Sequence, residues 1–225
     1  MNIIKKAFHE GRTSLTEYES KKVLASYKIP VTNEIIVDSM EDLAKAAETI
    51  AYPLVLKGCS SEITHKTEKD LIRIDIRDKK EALDSFQEIA SNMDGDTKTV
   101  LVQEMIKGKR ELVVGMNRDP QFGPCIMFGL GGIFTEILKD VSFRIAPIEK
   151  KDALEMMKEI KGHKILDAVR GMSTVDLEML TEILINVGQI GLDNKEISQI
   201  DINPLIICKG KPVAVDALII LEDQP

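Results

Sequence analysis

The chain has 225 residues, 44% of them hydrophobic and 30% charged, enough apolar material for a core and too much for a disordered segment. Thirty Lys and Arg stand against 37 Asp and Glu, a net charge of −7, which argues against whole-chain affinity for nucleic acid. No stretch approaches the roughly 18 apolar residues of a membrane span, so no membrane partner is expected either. The opening MNIIKKAFHEGRT lacks the apolar segment of a secretory signal. Cys59, Cys125 and Cys208 are scattered and form no CxxC pair, which fits a reducing, cytoplasmic setting. The length suits one large domain or two intimate subdomains. It is short for an enzyme that handles a nucleotide and two further substrates.

Helical and strand patterns alternate along the chain, which predicts a mixed α/β (α+β) class. Residues 1-13 read as a loose N-terminal arm. Ser14 and Glu17 have capping-box spacing ahead of a helix at Tyr18–Tyr27, stopped by Lys28-Ile29-Pro30. Glu34–Val37 reads as a strand. Leu43, Ala46, Ala47 and Ile50 mark one face of a helix, broken at Tyr52-Pro53. Leu54–Lys57 is a short buried strand, and 58-70 is a polar loop. Leu71–Ile76 alternates as a strand. Ala82, Phe86, Ile89 and Met93 line a helix ahead of the turn Asp94-Gly95-Asp96. Strands are expected at Thr99–Gln103, Glu111–Met116, Pro124–Phe128 and Ser142–Ala146. The turn Asn117-Arg118-Asp119-Pro120 would separate the second and third of these. Helices follow near 149–161 and 174–191, the second striped by Leu177, Leu180, Leu184 and Val187. Two tail strands, Ile197–Asn203 and Pro212–Asp216, surround Lys209-Gly210.

The tail hairpin is the most informative pattern. A two-residue turn at Lys209-Gly210 pairs residues whose numbers sum to 419, so Cys208 opposes Lys211 and Asn203 opposes Asp216. Opposed residues share a face, with Cβ atoms about 4.5–5.5 Å apart. Asp201 shares that face by alternation, while Ile200 and Ile202 point into a core. An amide oxygen beside carboxylates suits Mg²⁺ bound alongside nucleotide phosphates. The solvent face of an edge hairpin would carry the same residues.

Other candidates are single residues. Lys57 ends a buried strand, where a lysine reaches phosphate as a point charge or snorkels to solvent. Gln103-Glu104-Met105-Ile106 leaves a strand in a way that would offer backbone groups to an adenine edge. Gly129-Leu130-Gly131-Gly132 would bring backbone amides near an anion, or simply connect two strands tightly. It matches neither a Walker A loop nor a dinucleotide fingerprint, and no GxSxG or HExxH occurs. His65 lies in the polar loop beside Lys66, placed either as a nucleophile that carries phosphoryl or as a solvated histidine. Arg144 is a phosphate ligand or one half of a surface ion pair.

Taken in order, SLTEYESKKVLASYKIPV, YPLVLKGCSSEITHKTEKD, the long block from VLVQEMIKGKRELVVG through GLGGIFTEILKDVSFRIAP, and IDINPLII with VAVDA resemble the β subunit of ADP-forming acyl-CoA synthetases, the acetate–CoA ligases. The resemblance covers residue 14 to about 220. It implies an ATP-grasp fold of two α+β subdomains with the nucleotide between them. The subdomains would be 14-103, carrying the phosphohistidine loop 58-70, and 104-225, carrying the Mg-nucleotide site.

The same resemblance implies roles. Lys57 would contact phosphates, Glu104 and Ile106 would form the adenine hinge, and Glu111 would serve the ribose or nearby groups. Gly131, Gly132 and Arg144 would line the nucleotide, and Asn203 and Asp216 would hold Mg²⁺. His65 would be a second phosphoryl carrier. A CoA-binding α subunit would be the partner, in an α2β2 heterotetramer that chooses the acyl group on α. Phosphate would attack the thioester to give an acyl phosphate, an α-subunit histidine would take the phosphoryl group, and His65 would pass it to Mg–ADP to form ATP. A self-contained ATP-grasp carboxylate ligase and a non-catalytic nucleotide-sensing subunit are the alternatives. The stretch after His65, KTEKD, contains no glycine, unlike the loops of many relatives.

Overall fold

The computed structural model describes residues 3–59, 70–93, 98–132, 140–168 and 171–222. Its contacts divide the chain into two compact units. One comprises Met1–Leu15, Glu19–Val31 and Lys107–Pro225; the other comprises Thr16–Tyr18 and Thr32–Ile106. The expected division was contiguous, an arm 1-13 followed by 14-103 and 104-225, and the observed one is not. Residues 3–9 form helix α1 (Ile3–His9), whose Ile4 and Ala7 are buried in the core of the first unit. Helix α2 (Glu17–Ser26) sends Val23 and Leu24 into that same core, and Ile29 follows them. Long-range apolar contact therefore recruits the N-terminal segment to a sheet built almost 100 residues later.

Helix α2 starts at Glu17, so the expected capping box does not form. Ser14 instead makes a β-bridge to Ile220, and the Leu15 amide donates to the Ile219 carbonyl at 2.9 Å.

The second unit is a four-stranded antiparallel sheet backed by two helices. Its elements are β1 (Glu34–Val37), α3 (Met40–Ile50), β2 (Leu54–Gly58), β3 (Ile72–Ile76), α4 (Lys79–Asn92) and β4 (Val100–Glu104), in strand order β1-β4-β2-β3. Both helices are capped as their sequences allow. The Ser39 side chain accepts from the Asp42 amide at 3.2 Å, and the Asp78 carboxylate accepts from the Glu81 amide at 2.9 Å. Leu43, Ala46 and Ala47 of α3 and Ala82, Phe86 and Ile89 of α4 pack on Leu54, Leu56, Val100 and Val102. Those strand residues alternate, so Val55, Lys57, Leu101 and Gln103 project from the other face. The turn expected at Asp94-Gly95-Asp96 lies outside the described residues.

The first unit carries a six-stranded sheet. Its strands are β5 (Glu111–Asp119), β6 (Gly123–Leu130), β7 (Val141–Ile145), β8 (Ile197–Cys208), β9 (Lys211–Ala214) and β10 (Leu218–Leu221). The order is β10-β8-β5-β6-β7, with β9 also on β8. Helices α5 (Lys150–Glu159) and α6 (Leu177–Asp193) supply Met156, Met157, Leu180, Leu184 and Val187 to one core with Leu112, Val114, Met116, Ile126 and Phe128. Leu177, expected on the α6 stripe, is exposed in its first turn.

Three further expectations shift. The turn placed at 117–120 moves to 120–122, because Asn117 and Arg118 remain in β5 and pair with Cys125 and Pro124. Arg118 then donates to the carbonyls of Gly191, Asn194 and Ile197 at 2.7–2.8 Å, holding the end of α6. Strand β8 runs without interruption to the turn, and β10 is an additional strand beside it.

Candidate functional site

In the second unit the candidate residues lie along two paired strands. Lys57 and Leu101 are opposed, as are Leu54 and Glu104. The two positions are three residue pairs apart, on the order of 10 Å along the strand, so an extended ligand is needed to meet both. Lys57 is 5% exposed. Its ammonium lies 2.7 Å from a Glu17 carboxylate oxygen, and that side chain is 1% exposed. The capping-box spacing of Ser14 and Glu17 gives no sign of this pair. Glu104 accepts from the Asn33 amide at 2.7 Å and from the Asn33 side chain at 3.0 Å, while its own amide donates to the Asn33 carbonyl. With the carboxylate fixed to Asn33, what the 104–106 segment can offer an adenine edge is backbone. Ile106 is half-buried at the end of that segment.

In the first unit, register sorts the candidates by face. Val114 opposes both Ile202 and Phe128, and Met116 opposes Ile200 and Ile126; all six are buried on the side that α5 and α6 cover. Gly115, opposite Asp201 and Met127, belongs to the other side, as does Glu111 by alternation. Arg144 opposes Ile126 and therefore lies on the helix-covered side. Its guanidinium forms a bidentate pair with Glu159 of α5, with Glu155 at 3.8 Å. The structure does not bring Arg144 to the carboxylate side. It takes up the other option the sequence left open, a surface ion pair, and that pair anchors α5 on the sheet.

The tail register holds as far as strand pairing goes. Leu205 through Cys208 pair with Ala214 through Lys211 across a turn in which Lys209 and Gly210 have φ of 50° and 85°. Positive φ at both central residues marks the turn type whose twist matches a hairpin. Glycine is needed at the second position, where a Cβ would lie 2.7 Å from the Thr174 carbonyl oxygen. After Ala214 the chain leaves the ladder for three residues, then returns as β10 with Leu218 opposite Asp201 and Ile219 opposite Ile200. The break carries Asp216. Across it β8 changes phase: Ile200 and Ile202 face the core, and so do Leu205 and Ile207, leaving Asn203 and Pro204 between. A register shift between Leu112 and Val114 of β5 accommodates the extra residue.

Asp201, Asn203 and Asp216 thus gather at a break in the sheet. Burial first, and the Asp216 carboxylate second, push the Asp201 carboxyl up to about 6. The Asp216 carboxylate accepts from the Ala217 amide at 2.9 Å. Helix α2 fastens both ends of the break. The fully buried Lys21 donates to the Val215 carbonyl at 3.2 Å, and the Ser20 hydroxyl accepts from the Ile219 amide at 3.2 Å. The Asp201 carboxyl facing the charge of Asp216, with Asn203 two residues along the same strand, fits a hard divalent cation. Such a set leaves coordination positions for phosphate oxygens. Among the described residues no group of three or more His, Cys, Asp and Glu side chains gathers as a metal cluster.

Glu111, Gly131 and Gly132 form a third group. The Gly131 amide donates to the Glu111 carbonyl at 2.8 Å. A Cβ on Gly131 would lie 2.7 Å from the Leu112 carbonyl oxygen, so backbone excludes a side chain there, while at Gly132, beside the Glu111 carboxylate, a φ of 61° favours glycine. Gly129 and Leu130, expected in the loop, belong to β6. His65 and most of the 58-70 loop lie outside the described residues.

The ATP-grasp domain family matches residues 6–221. The chain is 46% identical over 224 residues to the β subunit of ADP-forming acetate–CoA ligase I of Pyrococcus furiosus, covering 97% of this chain and 96% of that one. It is 38% identical over 211 residues to ADP-forming acetate–CoA ligase I of Archaeoglobus fulgidus, covering 92% of this chain but 31% of that longer protein. A solved structure of acetyl-coenzyme A synthetase 1 from Ca. Korarchaeum cryptofilum superimposes with a TM-score of 0.86 at 42% identity, covering 98% of both chains. That protein was captured with coenzyme A and Mg-AMPPCP, its phosphohistidine segment pointing towards the nucleotide binding site.

Proposed function

Because the chain belongs to the ATP-grasp family and, within it, to the β subunits of ADP-forming acetate–CoA ligases, we propose that it is the nucleotide-binding half of an enzyme that converts acyl-CoA, ADP and phosphate into acid, ATP and CoA. The observation that carries this reading is the Asp201, Asn203 and Asp216 group at the sheet break, with the Asp201 carboxyl raised by burial first and by Asp216 second. Asn203 and Asp216 hold Mg²⁺, which when bound neutralises phosphate charge. Lys57 meets the phosphates, the backbone of Glu104 and Ile106 meets the adenine, and Glu111 with Gly131 and Gly132 shapes the nucleotide's surroundings. Arg144 takes no part, being committed to α5.

The partner is a CoA-binding α subunit, in an α2β2 assembly in the cytoplasm. Phosphate displaces CoA from the thioester, a histidine of α takes the phosphoryl group from the acyl phosphate, and His65 accepts it. The terminal oxygen of ADP then attacks the phosphorus of phospho-His65, the N–P bond breaks, and ATP leaves. A covalent carrier keeps the phosphoryl group from water between remote sites.

The test is reconstitution with α, followed by assay of ATP formation from acetyl-CoA, ADP and phosphate. Wild type makes ATP, and His65→Ala loses it by about 10³-fold or more while still binding ADP. Turnover near wild type in His65→Ala removes the carrier. ATP consumption without α, driven by a carboxylate and an amine, replaces the whole reading with a self-contained ligase.

A further inference from the structure

The function above assigns Lys57 to phosphate but leaves Glu17 without a task. Glu17 is buried to 1%, lies 40 residues earlier in the chain, and approaches the Lys57 ammonium to 2.7 Å. An acidic side chain is seldom buried this fully unless it is paired. It also stands against a lysine whose proposed ligand is itself an anion. A carboxylate there opposes phosphate binding on charge alone, so its presence calls for a compensating reason. Lys57 sits in a strand buried along its whole length. A lone ammonium at such a place is costly, and the cost falls when a counter-charge is built in. An ammonium has three donors, so a bond to Glu17 is compatible with bonds to phosphate oxygens. The carboxylate also removes rotamer freedom that a four-carbon side chain would otherwise lose when phosphate arrives.

We propose that Glu17 is a positioning residue for the nucleotide-phosphate lysine, holding the Lys57 ammonium oriented towards the phosphates before ADP binds. The inference rests on the reading of Lys57 given above. Glu17 touches no reacting atom and acts through Lys57, so its loss appears in nucleotide affinity before it appears in chemistry.

The experiment uses the reconstituted complex with α. KM for ADP, phosphate and acetyl-CoA and kcat for ATP formation are measured for Glu17→Gln, Glu17→Asp and Lys57→Met. Glu17→Gln raises KM for ADP about tenfold. It leaves KM for phosphate and acetyl-CoA within about twofold, and Glu17→Asp recovers most of the loss. A folded Glu17→Gln with wild-type KM for ADP overturns the proposal. Should Glu17→Gln not fold, the neutral pair Glu17→Gln/Lys57→Met is compared with Lys57→Met alone. The proposal predicts no further loss of ADP affinity once Lys57 is gone, and an additional loss overturns it. An unchanged KM for ADP in Lys57→Met brings down the phosphate role of Lys57 instead, an outcome distinct from failure of Glu17.

Discussion

The two units handle charge in opposite ways. In the four-stranded unit the buried functional charge is a cation with its counter-charge in place, Lys57 against Glu17. In the six-stranded unit it is a pair of half-buried carboxylates, Asp201 and Asp216, and burial first and the Asp216 charge second make Asp201 harder to ionise. The first arrangement is complete as it stands. The second is under electrostatic tension that a divalent cation relieves. Removing a charge should therefore damage one unit and stabilise the other, and that difference of sign is open to measurement.

The largest effect expected is on Asp216→Asn in the reconstituted enzyme. ATP formation at saturating ADP falls by about 10²–10³, because a preorganised charge next to the reacting phosphates is lost. Activity near wild type at ordinary Mg²⁺ would remove Asp216 from the cation site. Next comes Lys57→Met, which leaves Glu17 as an uncompensated buried anion. Urea melts should show a loss of about 3–5 kcal/mol, and Glu17→Gln in the same chain should restore much of it. A Lys57→Met variant as stable as wild type would mean the pair is not buried in solution.

Asp201→Asn should go the other way. A carboxyl raised in the folded state contributes most stability below its unfolded value near 4, loses it as pH rises to about 6, and stays level above. Without Mg²⁺ at pH 7.5, Asp201→Asn should gain up to about 3 kcal/mol over wild type. That gain should vanish towards pH 4 and shrink when Mg²⁺ is added. A gain that persists at pH 4 would assign it to packing rather than charge. The smallest effect belongs to Arg144→Gln. It lies on the far face of the sheet, and its ADP affinity should stay within about twofold of wild type. A large loss would return Arg144 to the nucleotide.

What local pattern controls was legible in the sequence. Strand β1 has the bounds its residues suggest, α3 buries its expected stripe, and the Lys209-Gly210 turn sets a register that four residue pairs obey. Each follows from spacing of a few residues and needs no knowledge of the rest of the chain. The misses are long-range. Helix α1 reads as an arm because its seven residues gain stability only by burying Ile4 and Ala7 against distant strands. Glu17 reads as a cap because nothing nearby announces a lysine 40 residues on. The phase change of β8 at Asn203 inserts one residue against an evenly alternating β5, and strict period-two alternation does not anticipate an inserted residue. Arg144 was a candidate by type, and only strand register assigned it to the other face.

The break between β9 and β10 has one more consequence. The Ala217 amide, in the three-residue gap between the ladders of β9 and β10, donates instead to the Asp216 carboxylate. A cation on that carboxylate withdraws electron density from the acceptor of this single bond. The Ala217 amide proton is therefore a spectroscopic gauge of occupancy. In NMR titrations of the protein with Mg²⁺, its resonance should move with saturation and stay still in Asp216→Asn.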